Sequence, residues 1–230
     1  MDSAKNCVSV IVPCFNEGSR IIPVISEILK SEYVKEIIVV DDGSKEETKK
    51  ILSQIKGIKV FHHQKNMGKS QALKTGFFHS TAPIITFIDS DLKNFSENNL
   101  NKLLEPIVFD NYDMVIGARK HAPVHTTIIG FEDAYTGQRA IKKSILLEKP
   151  FVFDQKSYLF EAELNRIAFG NIRIAKVVFD DLSQYSKREK YGFIGLLSEF
   201  RMLFDIIFYL GLLVFFYQMF FAKKLPRINS

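Results

Sequence analysis

Short apolar runs alternate with amphipathic stretches through the first half of the chain. Val8 to Val12 reads as a strand rich in β-branched residues and ended by Pro13. In Ile21 to Lys30 the apolar positions 21, 22, 25, 28 and 29 make one face of a helix. Glu36 to Val40 is a second strand, Glu46 to Gln54 a helix, Val60 to His62 a short strand and Lys69 to His79 a helix. Ile84 to Ile88 is the next strand, Asn98 to Phe109 a helix and Met114 to Gly117 a strand. Strands alternating with helices predict an α/β fold, a mostly parallel sheet with helices on both faces.

After Arg119 the pattern loosens. His121 to Gly130 reads as a loop, and His121 and His125 in it as loop residues. Gln138 to Leu147 and Tyr158 to Phe169 read as helices, with Tyr158-Leu159-Phe160-Glu161 at the start of the second on its core side together with Leu164 and Ile167. Ile172 to Phe179 reads as a strand, and Ser183 to Lys190 is polar and basic. From Met202 to Ala222 the only charge is Asp205, and Lys223, Lys224 and Arg227 follow. This shift divides the chain into an α/β domain over 1–190 and an apolar tail over 191–230.

The 230 residues suffice for one sizeable core plus an appendage. The formal net charge of +5 is scattered, without the Arg-rich stripe of a nucleic-acid binder. An anionic membrane surface or a nucleotide diphosphate fits it as well. The two cysteines, Cys7 and Cys14, fall on opposite faces of the first strand, which argues against a disulfide between them. No C-x-x-C pair suggests structural zinc. The first residues lack the apolar core of a signal peptide, so the expected setting is the cytoplasm.

Candidate chemistry gathers at the strand ends. Asp89-Ser90-Asp91 follows the Ile84 strand, and side chains two apart on an extended backbone point the same way. Paired carboxylates repel unless a cation or proton lies between them. Mg²⁺ or Mn²⁺, which share phosphate oxygens and keep water, suit such a pair. Alone, this D-x-D could be a solvated turn. It has company, however. Pro13-Cys14-Phe15-Asn16-Glu17 follows the first strand, Asp41-Asp42-Gly43-Ser44 the second, and Asn66-Met67-Gly68-Lys69 opens a helix. In an open α/β sheet such clusters converge on one crevice.

In order and spacing, these segments resemble the P-x-x-N-E, V-D-D-G-S, N-x-G-K-x-x-A and D-x-D signatures of family 2 glycosyltransferases, inverting enzymes with the GT-A fold. The resemblance is close over about 8–119 and looser to about 192. It implies a nucleotide-diphosphate-sugar donor and a divalent metal. Pro13, Asn16 and Glu17 would shape the nucleotide pocket. Asp41 or Asp42 would accept from the imide N–H of a uracil or its equivalent, with capping of the following helix as the plain alternative. Asn66, Gly68 and Lys69 would meet phosphate or ribose at a helix N-terminus. Asp89 would lie near ribose and metal, and Asp91 would ligate the metal. Lys187 and Arg188, in the basic stretch, would close over the diphosphate.

Asp133-Ala134-Tyr135-Thr136-Gly137-Gln138-Arg139-Ala140 resembles the D-x-x-[ST]-G-x-R-A segment of the polyprenyl-phosphate sugar synthases in that family. By this resemblance Asp133, or Glu132 as alternative, is the catalytic carboxylate nearest the reacting centre. Arg119 and Arg139 would hold an acceptor phosphate by forked hydrogen bonds. A lipid phosphate is already ionised and needs no general base, whereas a hydroxyl acceptor does. A polyprenyl phosphate is therefore the first expected acceptor and another lipid-linked or cell-envelope saccharide the second. A non-catalytic nucleotide-sugar-binding protein is the rival of a different class. A nucleotidyltransferase would want a Gly-rich loop after the first strand, which Pro13 to Glu17 is not.

Ile206 to Ala222 would span about 25 Å as a helix, short of the roughly 30 Å of a bilayer core. With the amphipathic 193–204 before it and Lys223-Lys224 after it, the tail is expected to attach the protein to the cytoplasmic face of a membrane. Burial against a second subunit is the alternative for the same helix.

Overall fold

The computed structural model describes residues 5–120, 131–155, 159–185, 189 and 193–228. Nine strands are found among them: β1 (Val8–Cys14), β2 (Val34–Asp41), β3 (Lys59–His62), β4 (Ile84–Phe87), β5 (Leu92–Lys93), β6 (Met114–Arg119), β7 (Arg139–Lys142), β8 (Ile174–Phe179) and β9 (Ser183–Gln184). The helices are α1 (Ile21–Ile28), α2 (Glu46–Gln54), α3 (Lys69–His79), α4 (Glu97–Phe109), α5 (Phe131–Tyr135), α6 (Lys143–Glu148), α7 (Leu159–Ala168), α8 (Phe193–Leu210) and α9 (Leu212–Lys224).

Seven strands form one sheet in the order β3-β2-β1-β4-β7-β6-β8. Only β7 runs antiparallel, to β4 on one side and β6 on the other. The carboxyl ends of β1, β2, β3, β4, β6 and β8 therefore share one edge, and β7 starts there. The predicted α/β class and mostly parallel sheet hold.

The period of two that makes a strand also sorts the core. Val10, Val12, Ile37 and Val39 face α1 and α4, whose Ile25, Ile28, Leu100 and Leu104 are buried with them. Ile11, Ile85, Phe87 and Ile116 face the other layer, where α3, α7 and α9 supply Phe77, Phe160, Phe215 and Met219. A ring cluster stiffens that layer, with Phe77 and Phe160 at 4.9 and 5.3 Å from Phe153.

Three local expectations are corrected. Pro13 does not end β1 but lies inside it, opposite Val40. Gln138 to Leu147 is not one helix. Arg139–Lys142 forms β7, and α6 begins only at Lys143. Its register, Phe87↔Arg139 on one side and Ile116↔Arg139 on the other, fills the gap between β4 and β6. Ladders on both sides outweigh the local helical pattern. The polar stretch from Ser183 opens with β9, which pairs β5 immediately after Asp91. The tail breaks at Gly211, whose φ of +75° no helix continues through. Phe215, Met219 and Ala222 of α9 lie in the same core as Phe77 of α3 and Phe160 of α7.

Candidate active site

The loops after β1, β2 and β3 brace one another. Asn16, at φ +56°, donates its N–H to Ser44 Oγ at 2.8 Å, and its Oδ1 accepts from Lys45 N at 3.0 Å. Arg20 closes the same turn, with Nη2 on Asn16 O at 3.0 Å and Nε on Glu17 Oε2 at 2.9 Å. Asp41 Oδ1 accepts from Ser44 N at 3.0 Å, and its Oδ2 lies 2.9 Å from His62 Nδ1. Asp42 accepts from Met67 N at 2.9 Å and Gly68 N at 2.7 Å, with His63 Nδ1 at 2.6 Å. Gly43 is required here. At φ +75°, a Cβ would fall 2.5 Å from the Lys65 carbonyl carbon. Asp41 and Asp42 are both buried. They are structural ties of the crevice floor, holding the Ser44 turn and the start of α3, while Lys45 at the N-cap of α2 makes no side-chain capping bond. Pro13 lies in β1 beneath this floor, and Asn66 backs onto Gly43.

Beyond β4 stands a denser charge cluster. Lys69 Nζ lies 2.7 Å from Asp89 Oδ1 and 2.8 Å from Glu161 Oε1. Burial alone would lower the Lys69 pKa, but the two carboxylates overcome it and hold it above the ordinary lysine value. Burial would likewise raise Asp89, and Lys69 reverses that, with help from Gln138 Nε2 at 2.8 Å from Oδ2, so its pKa is lowered. Gly137 leaves room for this pair. A Cβ there would lie 2.4 Å from Asp89 Oδ2 and 2.7 Å from Lys69 Nζ. Asp91 is held by β9, with Gln184 Nε2 at 2.7 Å from its Oδ1 and Tyr185 N at 3.2 Å from its carbonyl. Arg119, at the end of β6, forks onto Glu132 at 2.6 and 2.7 Å, and Asp89 and Asp91 both act on its charge.

The structure thus brings together Lys69, Asp89, Asp91, Arg119 and Glu132. It does not bring two expected residues with them. Asp133 turns to the buried ammonium of Lys176, 2.9 Å away. Arg139 is fully buried. Its guanidinium donates to Thr136 O at 3.0 Å, Asn165 Oδ1 at 2.6 Å and Ala134 O at 2.5 Å, and burial pushes its pKa down to about 10. Arg139 is a core fastener, and its expected grip on an acceptor phosphate is withdrawn. Lys187 and Arg188, like His121 and His125, lie outside the described residues. Glu161, Gln138 and Gln184 are site residues that the sequence reading passed over. For Glu161 the signal was its place among core positions of α7.

Among the described residues, no cluster of three or more His, Cys, Asp or Glu side chains stands ready to hold a metal. Asp89 and Asp91 offer two carboxylates, which suits an ion such as Mg²⁺ that takes one or two from protein and the rest from phosphate and water.

The model of the family described as Glycosyl transferase family 2 matches residues 9–182. The chain belongs to that family. This family 2 glycosyltransferase is 38% identical over 119 residues to an uncharacterized protein of Methanocaldococcus jannaschii, covering 50% of this chain and 47% of that one. It is 33% identical to a dolichyl-phosphate beta-glucosyltransferase of Trichomonas vaginalis, covering 48% of this chain and 38% of the relative. A UDP-N-acetylglucosamine–dolichyl-phosphate N-acetylglucosaminyltransferase of Methanococcus voltae is 25% identical, with 78% of this chain and 89% of the relative covered. For the first four curated relatives it matches, the chain spans only 38% to 56% of their length. Glucosyl-3-phosphoglycerate synthase from Mycobacterium tuberculosis, solved with Mn²⁺ and UDP, shares the GT-A fold. The TM-score is 0.65 at 22% identity, over 86% of this chain and 80% of that one. At that identity the likeness is one of fold.

Proposed function

We propose that this glycosyltransferase moves a sugar, with inversion, from a nucleotide diphosphate to a polyprenyl phosphate at the cytoplasmic face of a membrane. The observation that carries the reading is the cluster at the sheet edge. Asp89 and Asp91 follow the end of β4, and both act on the charge of Arg119. A bound divalent ion supplies electrostatic stabilisation of the charge left on the departing diphosphate. Asp91 and Asp89 are the residues to hold it. Lys69 keeps Asp89 ionised and oriented, and Gln184 orients Asp91. The loops of Asn16, Glu17, Asp42 and Gly68 make the floor for the nucleotide.

The disposition of the other carboxylates favours a phosphate acceptor. Glu132 has both oxygens on Arg119, and Asp133 is tied to Lys176. Neither is placed as a general base for a hydroxyl, and a lipid phosphate needs none. Arg119 is then the acceptor's fork, exchanging Glu132 for phosphate. The relatives named for dolichyl phosphate support the same class.

The test is a donor screen of purified protein with Mn²⁺ or Mg²⁺ and polyprenyl phosphate. Labelled sugar is expected in the solvent-extractable lipid, dependent on the ion. Failure of UDP, GDP and the other nucleoside diphosphates to bind under either condition would overturn the proposal. Label appearing only as free sugar would remove the lipid acceptor.

A further inference from the structure

The two helices of the tail meet at Gly211 at 104°. A Cβ at Gly211 would meet nothing within 4 Å, so the glycine serves the positive φ of the corner and not a close contact. At the corner Phe208 is 93% and Leu213 88% exposed. Phe204, Leu212, Phe216 and Phe220 are each more than half exposed around them. Six large apolar side chains exposed along the two helices on either side of the bend exceed the scattered hydrophobics of an ordinary surface.

The rear of α9 is fastened to the domain. Phe215, Met219 and Ala222 are buried, and Gln218 Nε2 donates to Ala162 O at 3.0 Å. Lys176 Nζ reaches Ala222 O at 3.1 Å, and Ile228 N returns to Lys176 O at 3.0 Å. To cross a bilayer, α9 would have to abandon these contacts. Its 13 residues would cover only about 20 Å of a core about 30 Å thick. No single described helix is long and apolar enough to cross. Beyond the apolar corner Lys223, Lys224 and Arg227 are exposed, with Lys224 Nζ 4.0 Å from the Phe220 ring centre. An exposed apolar bend followed by basic residues suits an anionic lipid surface.

We infer that the Gly211 corner is a monotopic wedge. Phe208 and Leu213 seat in the acyl boundary of an anionic membrane, α8 and α9 stay on one side, and the basic rim meets lipid phosphate. The inference deepens the proposed function and rests on it for the membrane alone. The wedge is also well placed. Phe215, on the buried side of α9, stacks on Tyr135 of α5 at 5.9 Å. The same short helix carries Glu132, the partner of Arg119. A lipid phosphate beside the corner is one helix away from its fork.

The chain contains no tryptophan, so Phe208→Trp and Leu213→Trp each create a single reporter in the full-length protein. With vesicles of phosphatidylcholine and phosphatidylglycerol, both emissions should move to shorter wavelength. Bromines high on the acyl chains should quench them more than bromines at the bilayer centre. Phe208→Glu with Leu213→Glu should weaken vesicle binding by about tenfold or more while nucleotide binding is kept. Emission that stays water-like on sedimented vesicles overturns the wedge, as does strongest quenching from the bilayer centre. So does a double variant that turns a dimer into a monomer with vesicle binding unchanged. Insertion without sugar transfer to lipid would count against the acceptor and leave the wedge standing. Transfer with the reporters still in water would do the reverse.

Discussion

Lys69 holds Asp89 at 2.7 Å and Glu161 at 2.8 Å with one ammonium, and Glu161 Oε2 is buried without a hydrogen-bond partner. Lys69→Met strands two buried carboxylates, and the loss should be about 3–5 kcal/mol in urea denaturation. Adding Glu161→Gln should recover part of it, because one stranded charge is then removed. Glu132 and Asp133 are neighbours with separate duties. Asp133→Asn should lower stability, since Lys176 loses its carboxylate, and leave kcat per folded molecule nearly unchanged. Glu132→Gln should spare the fold and shift KM for the acceptor, because it frees Arg119. Gln184→Ala loosens Asp91, and Mn²⁺ affinity measured with nucleotide present should fall about 10- to 100-fold. The aspartates could be read from the chain because their chemistry is local to a strand end. That Glu161 and Gln184 meet them could not, because α7 and β9 reach the D-x-D loop only across the fold.

β2 is pinned at its other end by Glu36. Its carboxylate accepts from Ser9 Oγ at 2.6 Å, from Thr81 N and Oγ1 at 2.6 and 2.8 Å, and from Lys59 Nζ at 2.6 Å. Burial opposes the charge, and these four donors outweigh it, bringing the pKa down to about 2. A lowered folded pKa stabilises above the unfolded value, near 4.3, and the benefit vanishes as pH falls through the folded one. Glu36→Gln should therefore cost about 3 kcal/mol at neutral pH and flatten the stability profile between about pH 5 and 2. Gly43→Ala strikes the turn that joins β2 to the Lys65–Asn66 backbone, and strain at positive φ plus a main-chain clash should cost about 2–4 kcal/mol, read as a fall in Tm. The turn chemistry of Gly43 was evident from Asp-Gly-Ser. The strand at β7 was not, because Arg-Ala-Ile-Lys gains its ladders only from β4 and β6.

Considered as one molecule, α9 of the tail packs into the core of the α/β domain. A chain ending at 190 loses Phe215, Met219 and Ala222 from the core and leaves Lys176 buried without its helix-end carbonyls. Such a truncation should aggregate or melt well below the full chain, where a separable appendage would leave a soluble domain. Differential scanning calorimetry decides between them. The chain alone determined the alternation of β1 to α4, the α/β class and the motifs at the strand ends, because strand and helix periods and turn residues act over a few positions. Long-range pairing decided the rest. It made β7 a strand, buried Arg139 with Asn165, turned Asp133 to Lys176 and set Glu161 on Lys69. It also folded the apolar tail back at Gly211, burying one side of α9 in the core and leaving the corner exposed. Each of these depends on a partner distant in sequence, and no local pattern encodes which partner that is.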